Sequence, residues 1–325
     1  MEVRLILSLH HKFSSYFTTR CEGYKIEHQP QLNTALKRIV DAWQHVACIP
    51  APAATRVVHV SPFPAYTMHN IMQMHGTEKN KPTITKIMEA MPIRDRDKIM
   101  RIEYCTRGPT NHVWYHYRYG RLLSNHFGKI LYSIRVKRDP TRDLVNLILG
   151  NHAVRNVRAL RYTKESESRA IAYYENVTGL RVHDCGLYVS KNGMLATSPD
   201  GSVSATRIIH IKSPFNIRME GVQLAAQPEA GYFITIFNDQ YVLNLDQVIG
   251  LDYYHQIQGS LYITGAQTCD LIVYTLRDSC IITVHKDPAW RDNLRLLKDF
   301  FMERFLPRIL DRARLAEKRR HELYT

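Results

Sequence analysis

No two of the six cysteines (Cys21, Cys48, Cys105, Cys185, Cys269 and Cys280) stand close enough in the chain to form a CxxC pair. A zinc ribbon needs ligands paired at short spacing, and a disulfide scaffold is usually a much smaller chain. Reduced structural thiols in an intracellular protein are therefore the expectation. No stretch approaches the roughly 20 apolar residues of a membrane helix, so no membrane partner is expected. Met1 to His10 holds an apolar run, but Glu2 and Arg4 interrupt it and it is too short for a signal peptide. There is no internal repeat and no low-complexity tract. Acidic residues are the scarcer charge: 30 Asp and Glu against 44 Lys and Arg give a net charge of +14. That excess favours a polyanionic partner, because each phosphate contact releases condensed counterions. Ribosomal, chromatin and membrane-surface proteins share the signature, so charge alone does not choose among them. The expected location is the nucleus or cytoplasm, the nucleus ahead.

What is present reads as one α/β domain behind an N-terminal stretch. Leu32 to Cys48 forms a small helical region, and Pro50, Pro52, Pro62 and Pro64 then break regular structure. From Thr83 the spacing turns helical, with Ile84, Ile87, Met88 and Met91 at i, i+3, i+4 and i+7. We divide the chain into an unassigned extension over 1–80 and an α/β domain over 81–325. Leu187–Val189 and Met194–Ala196 flank Lys191-Asn192-Gly193, and Asn-Gly is the strongest short-range hairpin signal. Ile208–Ile211 and Asp270–Thr275 are further strands. Between them Asp246–Thr264 reads as a helix closed by Gly265, with Leu251, Tyr254, Gln258 and Leu261 down one face. The tail from Trp290 is amphipathic through Leu294, Leu297, Phe301 and Phe305. It ends in a basic run from Arg308 to Arg320 that reads as a solvated helix end or as a DNA arm.

Two short segments carry chemistry: Ser198-Pro199-Asp200-Gly201 and His210-Ile211-Lys212-Ser213-Pro214. In a strand i and i+2 share a face, so 210 and 212 point one way and Ile209 and Ile211 the other. A carboxylate at Asp200 suits a hard divalent cation, which polarises a phosphate oxygen and a water. The ammonium of Lys212 can orient that water or stabilise charge developing on phosphorus. Upstream, Glu167, Ala170, Ile171 and Tyr174 fall on one helical face. Glu167 is thus a carboxylate bordering an apolar stripe, in need of a metal or of an Arg or Lys.

These segments resemble the PD-(D/E)XK nucleases, and within them the lambda-exonuclease and YqaJ-type viral recombinase (alkaline exonuclease) family. Tyr162, Glu167 and Ala170 match the family's aromatic-Gly-x-x-x-Glu-x-x-Ala helix, with Thr163 in place of its Gly. Leu195 to Gly201 follows at the family's spacing. Tyr253-Tyr254-His-Gln256-Ile-Gln258-Gly259 is similar to the helix that lines the family's active site, and Cys269 to Tyr274 to its last core strand. A looser match runs from Trp114 through Arg118, Gly120-Arg121, Ser124-Asn125 and Phe127-Gly128. In relatives an Arg and a Ser of that segment hold the 5′ phosphate. Here Arg118 is retained, Asn125 aligns with the Ser and Ser124 falls one place early. We expect core packing of at least two among Trp114, Tyr117 and Phe127.

The resemblance implies a central mixed sheet flanked by helices and hydrolysis of DNA, exonucleolytic from duplex ends, in viral or mobile-element replication or recombination. It implies Mg2+ or Mn2+ held by Asp200 and Glu167, with the Ile211 carbonyl completing the shell and His210 a candidate ligand. Lys212 then serves the nucleophile or transition state, Gln258 orders the site, and Arg118, Arg121, Ser124 and Asn125 are candidate phosphate contacts. DNA is the implied partner, with a single-strand annealing protein and further copies of the chain as others. One position departs from the family: His210 stands where the E-x-K triplet has its metal-binding acid. An imidazole suits manganese or zinc better than magnesium. Three readings follow: an active nuclease with altered metal preference, one that recruits another acid such as Glu167 and uses one cation, or a DNA-binding descendant without cleavage. A basic scaffold with no active site explains the charge but not Asp200, Lys212 and Glu167 at family spacing.

Overall fold

The computed structural model describes residues 65–75, 84–108, 111–150 and 157–313. The chain divides into two units, Met1–Val58 and His59–Thr325, and every described residue lies in the second. The helix expected over 32–48, the proline-rich break and the basic run beyond 313 lie outside the described residues.

In chain order the elements are α1 (Met68–His75), α2 (Ile84–Ala90), α3 (Arg96–Cys105), α4 (His112–Arg118), β1 (Leu122–Leu123), α5 (Phe127–Arg135), α6 (Arg142–Leu149) and α7 (Val157–Thr178). There follow β2 (Tyr188–Val189), β3 (Leu195–Thr197), β4 (Gly201–Ser204), β5 (Arg207–Lys212), α8 (Val222–Ala225), β6 (Ile234–Phe237) and β7 (Gln240–Leu243). Helix α9 (Val248–Thr264), β8 (Thr268–Tyr274), β9 (Ser279–His285) and α10 (Asn293–Phe300) close the domain. The fold is mixed α/β.

A four-stranded sheet of order β4–β5–β8–β9 forms the centre, with β5 and β8 parallel and the outer pairs antiparallel. Strand β8 is buried along nearly its whole length, as expected for an apolar run covered on both faces. The period of two sorts its side chains. Ile209, Ile211 and Ile272 pack on Ala170 and Tyr174 of α7, while Ile208, Leu271 and Val273 pack on Ile257 and Leu261 of α9. The expected hairpin is present as β2 and β3, and β1 pairs parallel to β3. Its turn requires glycine: Gly193 has φ +75°, and a Cβ there would lie 2.2 Å from the Met91 carbonyl oxygen.

Helix α9 departs from its expected single apolar face. His255 and Ile257 to Leu261 are all buried, because the helix lies between the sheet and a helical layer. That layer packs Phe127, Ile130 and Leu131 of α5 with α6, Trp290, α10 and the turn after it. Met68 and Ile71 of α1 join the same core. Two glycines permit the close approach of α5 and α9. A Cβ on Gly259 would strike the Phe127 ring at 2.4 Å, and one on Gly128 would strike Asp252. The Phe-Gly and Gln-Gly pairs of the sequence motifs are therefore helix-packing devices. Tyr117 and Phe127 are buried as expected.

Candidate active site

Asp200 sits in the short link between β3 and β4, and β5 runs antiparallel beside β4. Its Oδ2 accepts a hydrogen bond from the Ile211 backbone N–H at 2.7 Å and lies 3.3 Å from His210 Nδ1. A strand residue's N–H and C=O point the same way, so the Ile211 carbonyl faces the Asp200 edge too. Burial pushes the Asp200 carboxyl up, but His210, Lys212 and the Ile211 amide together bring it below the usual carboxylate range. A third of its side chain, 34%, remains open.

The side chains at 210 and 212 both reach α9, one helical turn apart. Lys212 Nζ donates to Gln256 Oε1 at 2.9 Å and stands 4.5 Å from the Tyr253 ring centroid. Burial lowers the pKa of its ammonium, and Asp200 opposes that shift. His210 Nε2 meets Ser260 Oγ at 2.9 Å. Asp200 and Glu167 line one cleft of about 450 Å3 together with Trp114, Tyr115, Asp184 and Ser198. The Trp114 indole N–H donates to Ser198 Oγ at 3.4 Å, which braces the Ser-Pro-Asp turn. Burial, then the charges of Asp200 and Asp184, push the Glu167 carboxyl up.

Several expected placements need correction. Glu167 is exposed to the cleft, because the buried line of α7 is Ser166, Ala170 and Tyr174. His210 is 1% exposed with both ring nitrogens engaged, so it has no lone pair directed at the cleft. Gln258 does not order the site: its amide donates to the His285 carbonyl and accepts from the Asp287 N–H, both behind α9. Gln256, two residues earlier, holds Lys212 instead. Arg121 is buried and donates to the backbone carbonyls of Gly193, Tyr117 and Tyr66, which leaves no fork for a phosphate. Ser124 is 3% exposed and its hydroxyl meets Thr197 Oγ1 at 2.7 Å. Asn125 is exposed at the start of α5. Arg118 is half-buried with its guanidinium over the Trp114 ring, and burial lowers its pKa. Asp184 and Ser260 were not singled out from sequence. Ser260 lies four residues after Gln256, the helical repeat that matches the 210/212 pair, whereas Asp184 precedes the hairpin with no periodic signal.

Residues 114–267 match the family model of the YqaJ-like viral recombinase domain, a span that contains Asp200, Lys212, Glu167 and Gln256. Over that span the chain is similar to a YqaJ-like viral recombinase domain. No curated protein sequence matches the chain. Among solved structures, it is similar to an alkaline exonuclease, LHK-Exo, from Laribacter hongkongensis: 21% identity, 63% of this chain and 97% of that one, TM-score 0.44. A phage-related exonuclease from Haemophilus somnus 129PT shares 12% identity over 59% of this chain and 96% of that one, TM-score 0.41. The protein of a SOX–DNA complex shares 10% over 72% and 80%, TM-score 0.42.

Among the described residues no three His, Cys, Asp or Glu side chains converge closely enough to form a ready-made metal site. The donors of this domain nonetheless fit a hard cation. Asp200, Glu167 and Asp184 bring carboxylate oxygens to one cleft, where burial first and then the charges of Asp200 and Asp184 raise Glu167, and a divalent ion would offset both. Among the described residues no helix is long and apolar enough to cross a membrane.

Proposed function

We propose that the chain is a divalent-metal-dependent DNA nuclease, exonucleolytic on duplex ends, that serves replication or recombination of a virus or mobile element. The observation that carries this reading is Asp200 fixed to β5 by the Ile211 amide, one residue before Lys212, with Glu167 on the wall of the Asp200 cleft. Asp200 and Glu167 would hold Mg2+ or Mn2+ with the Ile211 carbonyl. When bound, the ion polarises a phosphate oxygen and lowers the pKa of a water. Lys212 supplies a fixed positive charge for the phosphate. Gln256 takes one of its three N–H donors and leaves two for the reacting oxygens. Tyr115, 60% exposed beside Trp114, offers a face on which a base can stack. Arg118 and Asn125 remain the phosphate contacts of this reading, and duplex DNA, an annealing protein and further copies of the chain its partners.

Incubation with end-labelled linear duplex and either metal tests the reading. Metal-dependent release of label from the ends is expected. Uncut duplex at every metal concentration would instead favour a DNA-binding descendant, the reading that the loss of the acid at position 210 supports.

The two glutamines separate site from scaffold. Gln256→Ala frees Lys212 and lowers the cleavage rate about 10-fold, with thermal stability nearly unchanged. Gln258→Ala removes the two hydrogen bonds of a fully buried amide, to the His285 carbonyl and from the Asp287 N–H, and costs about 1–3 kcal/mol of stability. Cleavage rate and melting temperature of both variants check this. Loss of cleavage with Gln258→Ala at unchanged stability would return the role to Gln258.

A further inference from the structure

Behind Asp200 lies a file of buried polar groups that the proposed chemistry does not use. Ser124 Oγ meets Thr197 Oγ1 at 2.7 Å, Thr197 Oγ1 meets Ser260 Oγ at 2.7 Å, and Ser260 Oγ meets His210 Nε2 at 2.9 Å. His210 Nδ1 then faces Asp200 Oδ2. All four are at most 3% exposed. Asp–His–Ser order is that of an acyl-transfer triad, but Ser260 is 0% exposed and no substrate reaches it. The array is a positioning device.

Counting protons fixes its direction. Each hydroxyl has one proton and a neutral imidazole has one N–H and one bare nitrogen. An ionised Asp200 only accepts, so a favourable contact with it needs the proton on Nδ1. Nε2 is then bare, and Ser260 must donate to it. Ser260 in turn accepts from Thr197, and Thr197 from Ser124, so every proton is used once; the longer 3.3 Å approach of Ser260 Oγ to Ser124 Oγ then carries no proton of its own. In the opposite sense Ser260 donates to the Gln256 carbonyl, 2.9 Å away, and accepts from Nε2–H. That leaves two bare acceptors, Nδ1 and Oδ2, facing each other at 3.3 Å.

We infer that Ser260 and His210 are positioning residues that transmit a one-way hydrogen-bond chain, from Ser124 through Thr197, onto Asp200. The residue that replaces the family's acid thus steadies the remaining carboxylate. Its effect on catalysis rests on the nuclease reading, while its geometry does not.

The test is 15N NMR of histidine-labelled full-length protein near pH 8, above the ordinary imidazole range. Loss of one signal in His210→Asn assigns the ring among the 16 histidines. The expected ring carries its proton on Nδ1, with Nε2 bare and hydrogen-bonded. In Ser260→Ala the Nε2 signal moves to higher frequency as that bond is lost, and kcat falls about 10-fold with KM unchanged. A proton on Nε2, alone or with Nδ1, overturns the inference, and the parent protein alone decides this if the variant does not fold. An Nδ1–H ring in a protein that cuts no DNA keeps the chain of bonds and removes the nuclease reading instead.

Discussion

Lys212→Ala lowers the rate of duplex cleavage about 10²- to 10³-fold, with DNA affinity and melting temperature close to the parent's. The side chain meets Gln256 and the Tyr253 ring of α9 through its ammonium group, so truncation removes chiefly a polar contact. What it removes is a positive charge held beside Asp200 in a partly desolvated pocket, where charge stabilisation counts for more than in water. Single-turnover rates at saturating metal, with binding measured separately, isolate the chemical step. Undiminished cleavage by the variant would end the assignment of Lys212.

Arg121→Met unfolds the domain far more readily than any change at the cleft. Arg121 is 1% exposed, its pKa pushed down to about 10 by burial, and it remains charged at neutral pH. Three backbone carbonyls, from Tyr66, Tyr117 and Gly193, depend on its guanidinium. Methionine fills similar space but donates nothing, and each stranded buried acceptor costs about 1–3 kcal/mol. A total near 3–5 kcal/mol lowers the melting temperature by about 10 °C for a domain of this size. Thermal and urea unfolding of the variant measure it. Parental stability with weakened DNA binding would restore Arg121 as a phosphate contact.

These two residues mark what was legible in the sequence. Lys212 and Asp200 were readable because strand periodicity and a Pro-Asp-Gly turn are local, and local geometry decides where they point. The Asn192-Gly193 hairpin and the Gly265 cap were readable for the same reason. Arg121 was not: a charged residue six places before a buried phenylalanine looks like a surface contact, and only tertiary packing turns it inward. Gln256 and Gln258 both belong to one motif, and choosing between them needs the rotation of α9, which its nearly uniform burial hides from a periodicity argument. Glu167 is misplaced by one residue on α7 for a different reason: the helix buries only a narrow line through the small residues Ser166 and Ala170 to Tyr174, which Ser166 does not announce as apolar. Strands β6, β7 and β9 had no distinct local signal, and β9 is set by its pairing with β8. His210 is marked by its motif, but it and its partners Asp200 and Ser260 lie in three separate segments of the chain. His210→Glu would bury a second carboxylate against Asp200 at a site that is 1% exposed.

The most direct measurement is the initial rate of label release from a linear duplex by the full chain, across titrations of Mg2+ and of Mn2+, with Asp200→Asn alongside. The predicted result is release that rises with metal concentration, saturates, and is lost in Asp200→Asn. Release that needs no metal, or that survives Asp200→Asn unchanged, would contradict the account.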